Sequence, residues 1–266
     1  MHATLDTNVF GPLVSPADYP NHSAAADLGF LAQKIVDGKL AASIAESSLT
    51  LEALNREDRI DRFFREWANK TTNIALPTPP AVRVNIVQKA FAAGITVLHV
   101  SRVAVASFIP VPPNAWAADS RFSIEERQGR SSQFVHAFPD ALNKLKQLGA
   151  ELVTTHKIDL SRIPSLPGLP SPEEFEWLKG IVAEFDRPLK FSSTAKFANH
   201  VRDLVGEMSD TDMLGAHYGY GLDVVCTLDR ARAAGSGAIL HPTNRPHLIS
   251  KYRIDIKSPA ELAAVL

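Results

Sequence analysis

Residues 209–230 read SDTDMLGAHYGYGLDVVCTLDR, and the apolar run inside them, LDVVCTLDRAR at 222–232, stops abruptly at Thr227 and Asp229. A short apolar run that follows glycines and ends in polar residues has the pattern of a strand buried on both faces. Such a strand holds whatever follows it rigidly at the rim of a sheet. The stretch therefore predicts a carboxylate, Asp229, at one end of a sheet, with Arg230 and Arg232 just beyond it.

Working outward, strands and helices alternate. Ala3–Phe10 reads as a short strand and its exit loop, and residues 23–37 as an amphipathic helix with Ser23 as N-cap and Gly38 as its stop. A second strand over Leu40–Ala45 precedes a helix that carries Leu49, Leu51 and Leu54 and runs on through Arg56 to Trp67. Prolines 77, 79 and 80 interrupt the chain, a helix over Val84–Ala93 is capped by Gly94, and ITVLHV at 95–100 reads as another buried strand.

Residues 104–194 are loop-rich, with proline clusters at 110–113 and 164–172 around one helix-glycine-strand pattern, FPDALNKLKQLGAELVTT. Order returns with helices over 195–208 and 210–220, the strand 223–227, a short helix after Asp229, a strand YRIDIK at 252–257 and a closing helix, PAELAAVL. The alternation predicts an α/β fold, a parallel sheet flanked by helices on both faces. It is expected as a single domain over 1–266, with its core in 1–103 and 195–266 and a central insertion at 104–194.

Composition narrows the function classes. Hydrophobic residues make up 45% of the 266 and charged residues 21%, an ordinary globular balance that argues against a disordered or fibrous chain. One cysteine, Cys226, excludes an internal disulfide framework and a multi-cysteine metal site, and fits a cytoplasmic protein. No run reaches the ~18 apolar residues of a membrane span, and the first residues lack a signal-peptide pattern. A net charge of -1 provides no global field for nucleic acid, so any such binding must be local.

Phosphate-loop, nucleophile-elbow, zincin and dinucleotide-turn motifs are all absent, and the glycines of HYGYGLD precede a strand, the wrong order for a dinucleotide turn. What remains is a set of carboxylates. In an open parallel sheet the ligand crevice lies outside the carboxyl ends of the strands. Asp6 follows the first strand, Asp229 a later one, Glu52 lies early in the helix after the second strand, and Asp210 stands where a helix would begin. Each alone reads more readily as a capping or solvated acid than as a ligand. Several packed within a few ångströms repel and need a divalent cation, and oxygen-only ligation selects Mg2+ or Mn2+.

The flanks of these acids, LDTNVF at 5–10, LTLEAL at 49–54, the opening stretch and the terminal IDIKSPAELAAVL, resemble the PIN-domain nucleases in order, spacing and context. The resemblance covers about residues 1–58 and 195–266, and is most specific from Asp210 to Asp229. It implies an Asp/Glu quartet, Asp6, Glu52, Asp210 and Asp229, holding Mg2+ or Mn2+, with Thr7, Asn8 and Thr227 as supporting polar groups. Glu46 competes with Glu52, and Asp212 with Asp210; the family spacing favours Glu52 and Asp210. The two aspartates lie about 200° apart on a helix, so they cannot face one crevice equally.

The resemblance further implies hydrolysis of phosphodiester bonds, with RNA as the expected substrate and Arg230 and Arg232 as its contacts. The arginines of NREDRIDRFFREW and SRFSIEERQGR are further candidates, although interleaved acids account for the first group as a salt-bridged helix face. A homodimer and an antitoxin-like protein partner stay open, as does the alternative of a non-catalytic PIN-like RNA- or protein-binding module. His217 and Tyr218 are expected to pack the helix, and Cys226 to face the core.

Overall fold

The computed structural model describes residues 1–54, 79–100, 109–118, 121–138, 195–229 and 238–266. Five of the predicted strands form one all-parallel sheet, β1 (His2–Leu5), β2 (Ala41–Ala45), β3 (Thr96–Leu98), β4 (Val224–Cys226) and β5 (Ile256–Lys257), and the strand expected within FPDALNKLKQLGAELVTT lies outside the described residues. Their order is β3-β2-β1-β4-β5. In register, Thr4 faces Ser43 on one side and Val225 on the other. The chain is thus an α/β protein. Its strands are short and apolar, and Ala3, Leu5, Ile44, Val97, Val225 and Cys226 are completely or almost completely buried.

Helices α1 (Thr7–Val14), α2 (Ala25–Val36), α3 (Ala81–Ala92), α4 (Ile124–Ala137), α5 (Ala195–Tyr220) and α6 (Pro259–Ala263) accompany the strands. Leu28 and Leu31 of α2 and Ile86, Val87 and Ala90 of α3 join Leu5, Val9 and Ile44 in one apolar cluster. Truncating any of its buried leucines to alanine would cost about 2–5 kcal/mol. Gly38 and Gly94 end α2 and α3 with left-handed backbone, φ +68° and +80°, a conformation that glycine adopts without a Cβ clash. Helix α6 starts on a reciprocal cap, with Ser258 Oγ accepting from the Glu261 amide and Glu261 Oε2 accepting from the Ser258 amide.

Several sequence-based expectations need correction. The chain turns into α1 directly after Asp6, where an exit loop was expected; Pro12 lies in that helix. The helix expected from Leu49 begins as two 3-10 turns, Glu46–Leu49 and Leu51–Ala53, and its continuation to Trp67 lies outside the described residues. The helices expected at 195–208 and 210–220 are one continuous helix, α5, so Asp210 is an interior position and not an N-cap. Thr211–His217 of that helix are all buried, and burial on every side outweighs the local stop signal of Ser209 and Asp210. Strand β5 is only Ile256–Lys257, because Leu248–Tyr252 form a π-helical turn.

The chain divides into two compact units. One comprises Met1–Ala53, Pro79–Ala137 and Ser209–Leu266, and carries the sheet. Part of the expected central insertion therefore belongs with it. Helix α4, which had no counterpart in the sequence reading, packs Phe134 against Tyr218 and Tyr252. The other unit comprises Leu54–Thr78 and Phe138–Met208; it includes FPDALNKLKQLGAELVTT, which lies outside the described residues after Phe138. Among the described residues no helix is long and apolar enough to cross a membrane.

Candidate functional site

The sheet reverses its winding between β1 and β4: β2 and β3 follow on one side of β1, β4 and β5 on the other. A parallel sheet opens a crevice at this point, beyond the carboxyl ends of the two strands. Asp6 immediately follows β1, and Thr227 and Asp229 follow β4.

Asp6 is buried, and its side chain makes no capping bond to α1, although its backbone carbonyl accepts from the amides of Val9 and Phe10. Neighbouring side chains hold the carboxylate instead. Thr227 Oγ1 donates to Oδ2 at 2.5 Å, Asn8 Nδ2 to the same oxygen at 2.8 Å, and Thr7 Oγ1 to Oδ1 at 3.1 Å. Asn8 also accepts from the Leu228 amide at 3.0 Å, and Thr227 Oγ1 accepts from the Asp229 amide at 2.8 Å. The polar residues after β1 thereby tie down the chain leaving β4. Capping, the ordinary role of an aspartate before a helix, does not describe this carboxylate.

Burial pushes the Asp6 carboxyl above the usual aspartate range; the Thr227 and Thr7 groups oppose the rise and the charge of Asp229 adds to it. Asp6 and Asp229 are thus electrostatic neighbours at one rim. Cys226, one residue before Thr227, is buried and its thiol is pushed up to about 12 by burial, with the charges of Asp6 and Glu261 adding to the rise, so it stays an inert small apolar group.

The other candidates fall as follows. Glu52 is half-buried on the 3-10 turn Leu51–Ala53, and Asp210 is half-buried within α5, whereas Asp212 is buried. Glu46 is buried at the carboxyl end of β2, with His99 Nδ1 3.6 Å from its Oε2. Arg230 and Arg232 lie outside the described residues. Among the described residues no three His, Cys, Asp or Glu side chains are gathered so as to hold a metal ion.

The donors that do meet still suit a hard cation. Asp6 and Asp229 offer oxygen alone. Oδ2 of Asp6 is taken up by two donors and Oδ1 by one, which leaves Oδ1 the better placed to ligate. A cation would also relieve the repulsion from Asp229.

Two features of this rim escaped the sequence. Arg245 Nη2 donates to the backbone carbonyl of Asp229 at 3.3 Å, which sets a guanidinium beside the acids. Its segment, HPTNRPHLIS, has no periodicity to mark it. A cleft of about 690 Å3 is lined by Glu46, His99, Arg127, Ser131 and Tyr220, and His99 stacks on Trp116 with ring centroids 3.9 Å apart. No protein-family model, curated protein or solved structure matches the chain.

Proposed function

We propose that this chain is a PIN-like, metal-dependent endoribonuclease, built on a parallel sheet with helices on both faces. The observation that carries the reading is the pairing of Asp6 with Asp229 at the crevice where the sheet changes its winding, held by Thr227 and Asn8.

Asp6 and Asp229 would hold Mg2+ or Mn2+, with Glu52 and Asp210 joining directly or through water. Bound there, such an ion supplies an activated water and charge neutralisation at a phosphodiester. The chain's own residues do the rest. Thr227 and Thr7 favour the ionised form of Asp6, which ligation requires. Asn8 fixes the backbone that carries Asp229, and Arg245 beside it is suited to a phosphate oxygen, as Arg230 would be. That no three possible metal ligands are gathered among the described residues favours a second reading, a non-catalytic PIN-like module that binds RNA or a protein partner.

Cleavage of labelled RNA by the wild type, with Mn2+ or with chelator, separates the two. The nuclease reading expects metal-dependent products that disappear in both Asp6→Asn and Asp229→Asn while the fold persists. Retained RNA affinity with no cleavage in Mn2+ would establish the binding module instead.

A further inference from the structure

A second cavity, of about 400 Å3, opens at the other rim of the sheet, by the amino ends of β1, β4 and β5. Among the described residues, Arg121, Arg130, Lys251 and Arg253 line it against a single carboxylate, Asp223. That carboxylate is committed: Arg121 Nη2 donates to it at 2.7 Å and the His2 amide at 2.8 Å. Three cations therefore share one cavity with no further acid among its described lining residues, an arrangement that favours an anion.

The neutral donors point the same way. Arg130 gives Nε and Nη2 to the Tyr218 carbonyl at 3.1 and 2.9 Å and lies over the rings of Phe122 and Tyr218, which fixes its guanidinium in place with further N–H groups to spare. His217, 1% exposed, also lines the cavity. Its Nδ1 meets the Thr4 hydroxyl at 2.9 Å, and its Nε2 has no hydrogen-bond partner among the described residues. In the tautomer in which Thr4 donates to Nδ1, Nε2 carries the ring's proton. A buried donor left in this way costs about 1–3 kcal/mol unless something accepts from it.

The backbone is also unusual here. Arg253 has φ 56° and ψ 31°, and is the one non-glycine residue in the left-handed region among those described. It follows the π-helical turn Leu248–Tyr252. Glycine would occupy this position without strain, and an arginine retained there presents a charge to the cavity.

We propose that this amino-rim cavity binds a phosphate group, held by Lys251, Arg253 and the free N–H groups of Arg130, with His217 Nε2 donating to one of its oxygens. A phosphate offers several strong acceptor oxygens and a charge near -2, which matches this donor set better than a carboxylate does. The cavity is large enough for an ester to bring its organic part, since small-molecule sites span about 300–1,000 Å3. Free phosphate and a nucleotide share the recognised chemistry. The site is independent of the Asp6 rim and of any activity there.

Thermal melting and calorimetric titration at low salt, on the full chain with inorganic phosphate, adenosine monophosphate and adenosine, test the proposal. Both phosphate-bearing probes should bind and raise the melting temperature, and adenosine should do neither. Tighter binding of the nucleotide identifies an ester as the ligand, and equal binding identifies free phosphate. Arg253→Gly removes the charge and relaxes the backbone, so it should fold at least as well while losing tenfold or more in affinity; Arg253→Lys should keep most of it. Absence of binding by either phosphate probe, or unchanged affinity in Arg253→Gly, would overturn the assignment.

Discussion

The hydroxyl of Thr227 donates to Asp6 Oδ2 at 2.5 Å, joining residues 221 positions apart at the point where β1 and β4 leave the sheet. Thr227 Oγ1 in turn accepts from the Asp229 amide, so one hydroxyl organises both acids.

Thr227→Val keeps the shape and removes the hydroxyl. The Asp6 carboxylate loses its shortest donor and the Asp229 amide loses its acceptor, so a loss of about 1–3 kcal/mol is expected in urea unfolding. The Asp6 carboxyl should also rise further. A variant as stable as the wild type would show that the hydroxyl does not hold the rim together.

The folded-state value of Asp6 is raised above its ordinary 3.8, so the folded protein binds this proton more tightly than the unfolded chain. The stability it contributes is full below 3.8 and is lost as pH rises through the folded value. Asp6→Asn should therefore be more stable than the wild type at neutral pH, and the difference should shrink as pH falls toward 3.8. Urea midpoints from pH 4 to pH 8 measure this. A difference independent of pH would argue that Asp6 stays solvated.

Burial lowers His217 from 6.5 to about 3, the opposite sign. Its neutral form contributes stability above 6.5 that is lost as pH falls toward 3, by about 1.4 kcal/mol per pH unit in that window. Acid unfolding followed by circular dichroism should be correspondingly steep, and shallower in His217→Gln. Equal slopes for the two proteins would contradict the burial of an uncharged imidazole.

Helices α4 and α5 approach closely at two glycines. A Cβ on Gly219 would lie 2.9 Å from the Arg127 backbone carbonyl, and one on Gly215 2.9 Å from a Val135 methyl. A backbone atom yields less readily than a side chain, so Gly219→Ala should destabilise by about 1–3 kcal/mol through overpacking. Thermal melts of the two alanine variants should rank Gly219→Ala below Gly215→Ala; the reverse order would mean that the helices separate freely.

Arg245→Ala tests the guanidinium beside Asp229. If RNA occupies the crevice, affinity should fall and its dependence on salt should weaken by about one phosphate contact. Binding titrations at several salt concentrations read both quantities. An unaltered salt slope would place the RNA elsewhere.

The strands and most of the helices of the sheet-bearing unit were legible because the apolar runs 3–5, 41–45, 96–98 and 224–226 sit between helical repeats, and a chain in that order closes most readily as a parallel sheet. Sequence also marked Asp6, Thr7, Asn8, Thr227 and Asp229, since each lies within a few residues of a strand end, and strand ends are where local pattern is sharpest.

Tertiary structure decided the remainder. Whether α5 breaks at Asp210 depended on burial along 211–217, which no local propensity encodes. Arg245 reached Asp229 through an aperiodic segment, and the cations at the amino rim came from segments about 120–130 and 251–253, far apart in the chain. Proximity between distant residues is a product of packing, so the sequence by itself determined which acids stand at strand ends, and only the folded sheet decided which of them meet.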